Sequence, residues 1–201
     1  MEWQTTTRVL ESLKGSDHDG VWQDFRDTFF PVVVGFARHA GLSETDAEDA
    51  AQETMIAFVK AYREGKYDRE KGRLRNWLFG LARHAVQNAF RKRAPERLVD
   101  NPSGVTAFWN RLPDENAVEK TWAGEWRKVV LDKCLRRAKQ ELDEKTFSAF
   151  ELYVLGEQSV EDVAKRLNMS ENAVYIAKSR VIARLRQLEE EFEGFNEGTR
   201  E

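Results

Sequence analysis

The sequence predicts an all-α protein made of two small helical domains joined by a flexible linker. Three observations predict it. Apolar residues recur at three- and four-residue spacing in nearly every patterned stretch, which is the signature of amphipathic helices. Capping residues stand where such stretches begin, at Ser43, Ser159 and Ser170. Pro95, Pro102 and Pro113, with Asn101, Ser103 and Gly104, break the periodicity between the two halves. The expected division is therefore 20–93 for the first domain, 94–116 for the linker, 117–187 for the second domain and 188–201 for an acidic, disordered tail.

At 201 residues the chain suits one or two domains, and its 6 Trp and 12 Phe let small helical cores bury area with few residues. Cys134 is alone, which excludes an intrachain disulfide and a cysteine-rich metal site and fits a reducing cytoplasm. The segment MEWQTTTRVLESL lacks a basic leader followed by an apolar run, and no apolar stretch approaches a membrane span. Membrane insertion is not expected.

The net charge of −3 conceals strong local asymmetry. Residues 1–60 carry a balance of −6 and residues 61–93 one of +7. Residues 94–155 are near neutral, residues 165–186 stand at +5, and the tail 187–201 stands at −5. Basic segments of this kind neutralise phosphates, while acidic ones are free to face a protein partner.

Taken in order, helical spacing covers 1–14 and then 19–40, where Trp22, Phe25, Phe29, Val33 and Phe36 form the stripe and Pro31 is expected to break or bend the helix. Ser43 opens the next helix, with Asp46 completing a capping-box-like start. It runs to about Arg63 with Ala47, Ala51, Met55, Phe58, Val59 and Tyr62 on its apolar side. Gly65 and the 67–72 stretch read as a loop, followed by a helix from near Arg73 to near Arg93. Beyond the linker a helix from about Glu115 to Glu141 carries Trp122, Trp126, Val129, Val130 and Leu135. Another spans Glu144 to Leu155, and Gly156 ends it.

Residues 159–186 read as a helix-turn-helix. Ser159 caps the first helix with Asp162 reaching back, and Ala164 is small where the helices cross. Asn168 stands at the reversal, because Asn tolerates the left-handed conformation, and Ser170 caps the second helix. Val174, Ala177, Val181 and Leu185 share one face, to pack on Val160, Val163 and Leu167. The DNA-facing set is Ser170, Asn172, Tyr175, Ile176, Lys178, Ser179, Arg180, Arg184 and Arg186. A basic, solvated helical hairpin would share part of this pattern.

The helix from Gly72 to Arg93 has a different logic. Leu74, Leu78, Leu81, Ala82, Ala85 and Ala89 form its core side, with Gly80 expected to permit a close approach. Arg73, Asn76, Arg83, Gln87 and Arg91 line another face, Trp77 and His84 the border, and Arg91-Lys92-Arg93 closes it. Cations there also suit the helix macrodipole. Arg beside aromatic faces suits an unstacked strand, since rings receive bases while guanidinium groups hold phosphates. Upstream, Asp46, Asp49, Gln52, Glu53 and Ile56 occupy one side of the preceding helix and resemble a protein-docking face. Complementing the helix N-terminus accounts for Asp46, Glu48 and Asp49 but not for the residues beyond them.

The order of these segments resembles a bacterial RNA polymerase sigma factor of the sigma-70 family, of the two-domain extracytoplasmic-function type. DAEDAAQETMIAF (46–58) resembles region 2.2, YDREKGRLRNWLFGLARHAVQNAFRKR (67–93) resembles regions 2.3 and 2.4, and 159–186 resembles region 4.2. Departures are Ala50 and Ala51 for larger aliphatics, Asn88 for Asp, Leu74 for Phe, and Tyr175-Ile176 for a Lys-Ser pair. The resemblance implies a region 2 bundle and a region 4 helix-turn-helix. It implies core polymerase docking through Asp46, Asp49, Gln52, Glu53 and Ile56. Opening and reading of the −10 element would fall to Arg73, Arg75, Asn76, Trp77, Arg83, Gln87, Arg91, Lys92 and Arg93, and −35 reading to the helix-turn-helix set. The implied partners are core RNA polymerase, promoter DNA and an anti-sigma regulator, with a monomer when free. Binding without covalent chemistry is implied, with no catalytic residue, no metal and no cofactor. A conventional helix-turn-helix regulator remains the alternative for 159–186, and an enzyme would need the phosphate loop, nucleophile elbow or ligand cluster that the sequence does not display.

Overall fold

The computed structural model describes residues 19–97 and 115–197. The segment 1–14 and the central part of the linker lie outside them. All regular elements among the described residues are helical, and they fall into two compact units that divide between Val129 and Val130, with residues 194–197 grouped with the first.

In the first unit, α1 (Asp19–His39) runs unbroken through Pro31, so of the expected break or bend the break does not occur. Proline removes one N–H and leaves the Asp27 carbonyl without its helical partner. Asp27 and Pro31 are both exposed, which puts the freed carbonyl on the solvent side of the helix. Phe29 and Val32, Val33 and Phe36, on either side of it, are fully buried and hold the helix to one core. Helix α2 (Glu44–Arg63) begins as expected: the Ser43 hydroxyl donates to the Asp46 carboxylate and accepts from the Asp46 N–H at 3.3 Å. A 3₁₀ turn, Arg69–Lys71, capped by Asp68, leads to α3 (Leu74–Arg97). Helix α3 passes the expected end at Arg93 and includes Pro95. The carbonyl that Pro95 frees is that of Arg91, an exposed residue. Gly80 does not serve a close approach; a side chain there would meet open space.

Phe58 joins the three helices. It is fully buried, stacks on Phe25 of α1 at 4.3 Å and on Tyr62 at 5.7 Å, and meets Trp77 of α3 edge-on at 5.4 Å.

Helix α4 (Glu115–Glu141) has the expected bounds, but its two halves belong to different units. Trp122 meets Phe36 at 5.7 Å and Phe79 at 5.5 Å, and Trp126 stacks on Phe29 at 5.2 Å. These rings draw residues up to Val129 into the first unit, whereas the sequence reading gave everything from 117 onward to the second. Glu125 follows the same surface, 3.3 Å from His39 and 2.6 Å from Lys128, over Gly35, where a Cβ would overlap its carboxylate.

The second unit contains the rest of α4, α5 (Glu144–Phe150), a π-helical turn (Glu151–Leu155), α6 (Val160–Leu167) and most of α7 (Glu171–Glu197). Gly156 ends the π turn without left-handed backbone; Glu157 takes the positive φ, at 51°. Glycine is required at 156 by space instead, since a Cβ would stand 2.9 Å from the Leu152 carbonyl oxygen. The expected disordered tail is largely helical: α7 continues to Glu197, with Leu188 and Phe192 buried. Cys134 is buried too, which pushes its thiol up to about 11 and keeps it protonated and inert at neutral pH.

Phe58→Ala removes the ring shared by α1, α2 and α3. Loss of a buried aromatic of this size costs about 3–5 kcal/mol, and equilibrium denaturation of the full chain is expected to show that loss.

Candidate nucleic-acid and protein interfaces

Helix α2 commits Ala47, Ala50, Ala51, Thr54, Met55, Phe58 and Tyr62 to the core. The opposite side presents Asp49, Gln52, Glu53 and Ile56, all exposed, at the three- and four-residue spacing that keeps them together. Ile56 is 68% exposed, an apolar group that no described part of the chain covers. Asp46 is half-buried and serves the Ser43 cap, so local folding already explains that carboxylate.

Helix α3 buries Leu74, Leu78, Ala82, Ala85 and Val86. Val86 was missing from the expected core side, while Leu81 and Ala89 are half-exposed. Beyond that core, Arg73 at the helix entrance and Asn76, Arg91 and Lys92 are exposed, and Arg75, Trp77, Arg83 and Gln87 are half-exposed. The Arg93 side chain lies outside the described residues. Trp77 divides its ring between core and surface, touching Phe58 inside and Tyr67 at 5.1 Å. The Tyr67 hydroxyl in turn donates to the Gly72 carbonyl at 3.3 Å, at the entrance to α3. Tyr67 falls in the expected 67–72 loop, and a side chain reaching its partner across a turn leaves no periodic signal. His84 is exposed and 3.2 Å from Asn88. Among the described residues no group of His, Cys, Asp and Glu is arranged to hold a metal ion.

The acidic and basic faces meet. The Lys92 ammonium donates to Glu53 at 2.6 Å, and this hydrogen bond, with the Glu53 charge behind it, raises the Lys92 pKa. Both side chains are largely exposed, so the pair is weak and exchangeable. Sequence reading had placed the two residues in different functions.

The helix-turn-helix forms as its capping residues predict. The Ser159 oxygen accepts from the Asp162 N–H at 3.1 Å, and Asn168 takes the left-handed conformation with φ 47° and ψ 63°. Lys145 donates to the Asn168 carbonyl at 2.9 Å and ties the turn to α5. Ser170 accepts from the Ala173 N–H at 3.2 Å and starts α7. Val163, Ala164, Val174 and Ala177 pack with Ala149, flanked by Leu152, Tyr153, Val160, Leu167 and Met169. On the far side of α7, Asn172, Tyr175, Ile176, Ser179, Arg180 and Arg186 form one exposed stripe. Lys178 lies to one edge, 5.4 Å above the Tyr153 ring, and Tyr153 meets Tyr175 edge-on at 5.8 Å. Tyr153 was not singled out in the sequence; its element is a different one from α7, and spacing within α7 does not reveal it.

Arg184 is the exception in the expected DNA-facing set. It is turned inward, donating to Glu141 at 2.6 Å, Glu191 at 3.1 Å and Gln187 at 3.3 Å. Glu141 also accepts from Arg137 at 2.6 Å. Arg184 fastens α7 to α4 within the second unit, and its charge is neutralised there.

Two family models match the chain: Sigma-70 region 2 over residues 27–96, and Sigma-70, region 4 over residues 132–185. The first spans α2 and most of α1 and α3, and the second the end of α4 and the helix-turn-helix. Carrying both regions, in that order, the chain is a sigma factor of the sigma-70 family. It is accordingly a DNA-binding protein of promoter recognition and transcription initiation, a role that implies core RNA polymerase and promoter DNA as partners. No curated protein matches the chain in sequence. Among the described residues no helix is long and apolar enough to cross a membrane.

The Glu141 site gives a pH dependence. Hydrogen bonds from Arg184 and Arg137 lower the Glu141 carboxyl to about 2. A carboxyl depressed on folding stabilises the folded chain above its unfolded pKa, here near 4.5, and loses that contribution as pH falls toward about 2. Glu141→Gln is therefore expected to be less stable than the wild type at neutral pH, with the gap narrowing through this window. Thermal unfolding of both chains from pH 7 to pH 2 measures it.

Proposed function

We propose that this protein is a cytoplasmic sigma factor of the extracytoplasmic-function type, monomeric when free, which docks on core RNA polymerase through α2 and reads promoter DNA through α3 and α7. The observation that carries the reading is the pair of opposed faces on adjacent helices. Helix α2 presents Asp49, Gln52 and Glu53 around an Ile56 that is 68% exposed. Helix α3 beside it presents Arg73, Asn76, Arg91 and Lys92. A helix-turn-helix regulator that needed only duplex DNA would have no use for the first pair of faces.

In this reading, Asp49, Gln52, Glu53 and Ile56 contact the polymerase, with Asp46 shaping the helix start they depend on. Trp77, supported by Tyr67, receives an unstacked base near −10, while Arg73, Arg75, Asn76, Arg83, Gln87 and the Arg91-Lys92-Arg93 cluster hold the strand. Unstacking costs a few kcal/mol per step, and base stacking on an aromatic ring returns roughly 1–3 kcal/mol per base. At −35, Ser170, Asn172, Tyr175, Ile176, Lys178, Ser179, Arg180 and Arg186 face the duplex; Arg184, paired within the protein, does not. The 94–116 linker spans the distance between the two elements. The reading assigns no catalytic residue, metal or cofactor, and it includes an anti-sigma partner that covers the same faces.

Purified protein added to core polymerase is expected to start transcription from members of a random promoter library; absence of both core binding and initiation overturns the reading. Glu53→Lys reverses charge on an exposed side chain and is expected to weaken core affinity about tenfold, within the range of desolvated charge pairs at interfaces, with an unchanged circular dichroism spectrum. Arg180→Ala is expected to weaken upstream-element binding by the holoenzyme and to leave core affinity as it was.

A further inference from the structure

The exposed stripe of α7 is unusual in its chemistry. Tyr175 is 46% exposed and Ile176 is 44% exposed. Both follow within two turns of the Ser170 cap, between Asn172 and Ser179, on the side opposite the buried Val174, Ala177 and Val181. An apolar group on a polar helix face gains free energy only when another apolar group covers it. In the major groove the bases offer one such group, the C5 methyl of thymine. Asn172, on the same stripe, suits the N6 and N7 edge of adenine. Guanine calls for a cation at these positions, and the first basic residue on the stripe, Arg180, comes a turn later.

Tyr175 does not hang free. Tyr153 meets it edge-on at 5.8 Å, and the Lys178 ammonium lies 5.4 Å above the Tyr153 ring. Tyr153 belongs to the π-helical turn Glu151–Leu155, and it packs against the helix-turn-helix core. It is thus held by the core on one side and by two residues of α7, one turn apart, on the other.

We propose that Ile176 and Tyr175 make this chain's upstream specificity a reading of thymine methyl groups in A·T pairs, and that Tyr153 is the positioning residue that fixes the Tyr175 ring toward the groove. This rests on the assignment of α7 to the upstream element.

The test uses holoenzyme reconstituted from the full chain and core polymerase. The upstream element is first recovered by selection from random duplexes. It is then synthesised with deoxyuridine in place of thymidine, one position at a time, which deletes a methyl group and nothing else. Binding is expected to fall about fourfold at one or two positions, the factor that corresponds to one buried methyl carbon. Ile176→Ala is expected to bind the thymidine and deoxyuridine duplexes alike at one of them. Tyr153→Ala is expected to abolish the Tyr175-dependent methyl effect at the other, and Tyr153→Phe, which keeps the edge-on ring but loses the hydroxyl contact with Tyr175, to weaken it. The inference is overturned if the selected element lacks A·T pairs under α7, or if no deoxyuridine substitution changes binding. It is also overturned if Ile176→Ala and Tyr153→Ala remain as methyl-sensitive as the wild type. In each of those cases the holoenzyme still binds its element, and the assignment of α7 stands. Holoenzyme that selects no upstream element at all overturns that assignment itself, and this inference with it.

Discussion

The contact of Phe58 with Phe25 and Trp77 orients everything the first unit displays. Phe58 is buried in α2, Phe25 lies in α1 and Trp77 in α3, with ring centroids at 4.3 and 5.4 Å. Rotating α2 about its axis would break both ring contacts, so the direction in which Asp49, Gln52, Glu53 and Ile56 point is set from behind. The same is true of α3, whose Trp77 touches the core and the surface together. The exposed face of such a helix is the remainder left once the other side is committed to packing, and here the commitment is aromatic, large in area and geometrically specific.

The second unit solves the same problem with turns and ions. Two Ser caps, a left-handed Asn168 and the Lys145 hydrogen bond to its carbonyl set the angle between α6 and α7. Arg184, clamped by Glu141 and Glu191, fixes α7 against α4 well beyond the turn. The exposed stripe from Asn172 to Arg186 can then carry side chains chosen for a ligand, because none of them is needed to hold the helix in place.

Features governed by neighbours in the chain were readable from the chain. Ser43, Ser159 and Asn168 act over three or four residues, and each does what its type predicts. Helix α4 begins and ends where its pattern said. The stripes on α2, α3 and α7 were also readable, since amphipathic periodicity encodes which side is committed. Features that depend on distant residues, or on atomic overlap that leaves no pattern, were not. Pro31 sits on the exposed side of an unbroken helix. Gly156 is required by the Leu152 carbonyl overhead, while neighbouring Glu157 takes the left-handed backbone. Arg184 looked like one more cation on a basic helix, yet its partner Glu141 is 43 residues away. Lys92 and Glu53, 39 residues apart, were assigned to separate surfaces and share a hydrogen bond. The domain boundary moved for the same reason, since Trp122 and Trp126 answer to Phe36 and Phe29 on α1.

In the proposed function one chain offers three faces to three different targets. Site-specific photocrosslinking in a single promoter complex tests this, with the probe placed in turn at Ile56, Asn76 and Ile176. The probe at 56 is expected to label a polymerase subunit. The probe at 76 is expected to label a DNA strand near the start site, and the probe at 176 to label duplex DNA further upstream. Labelling of DNA from position 56, or of one and the same DNA segment from positions 76 and 176, would contradict it.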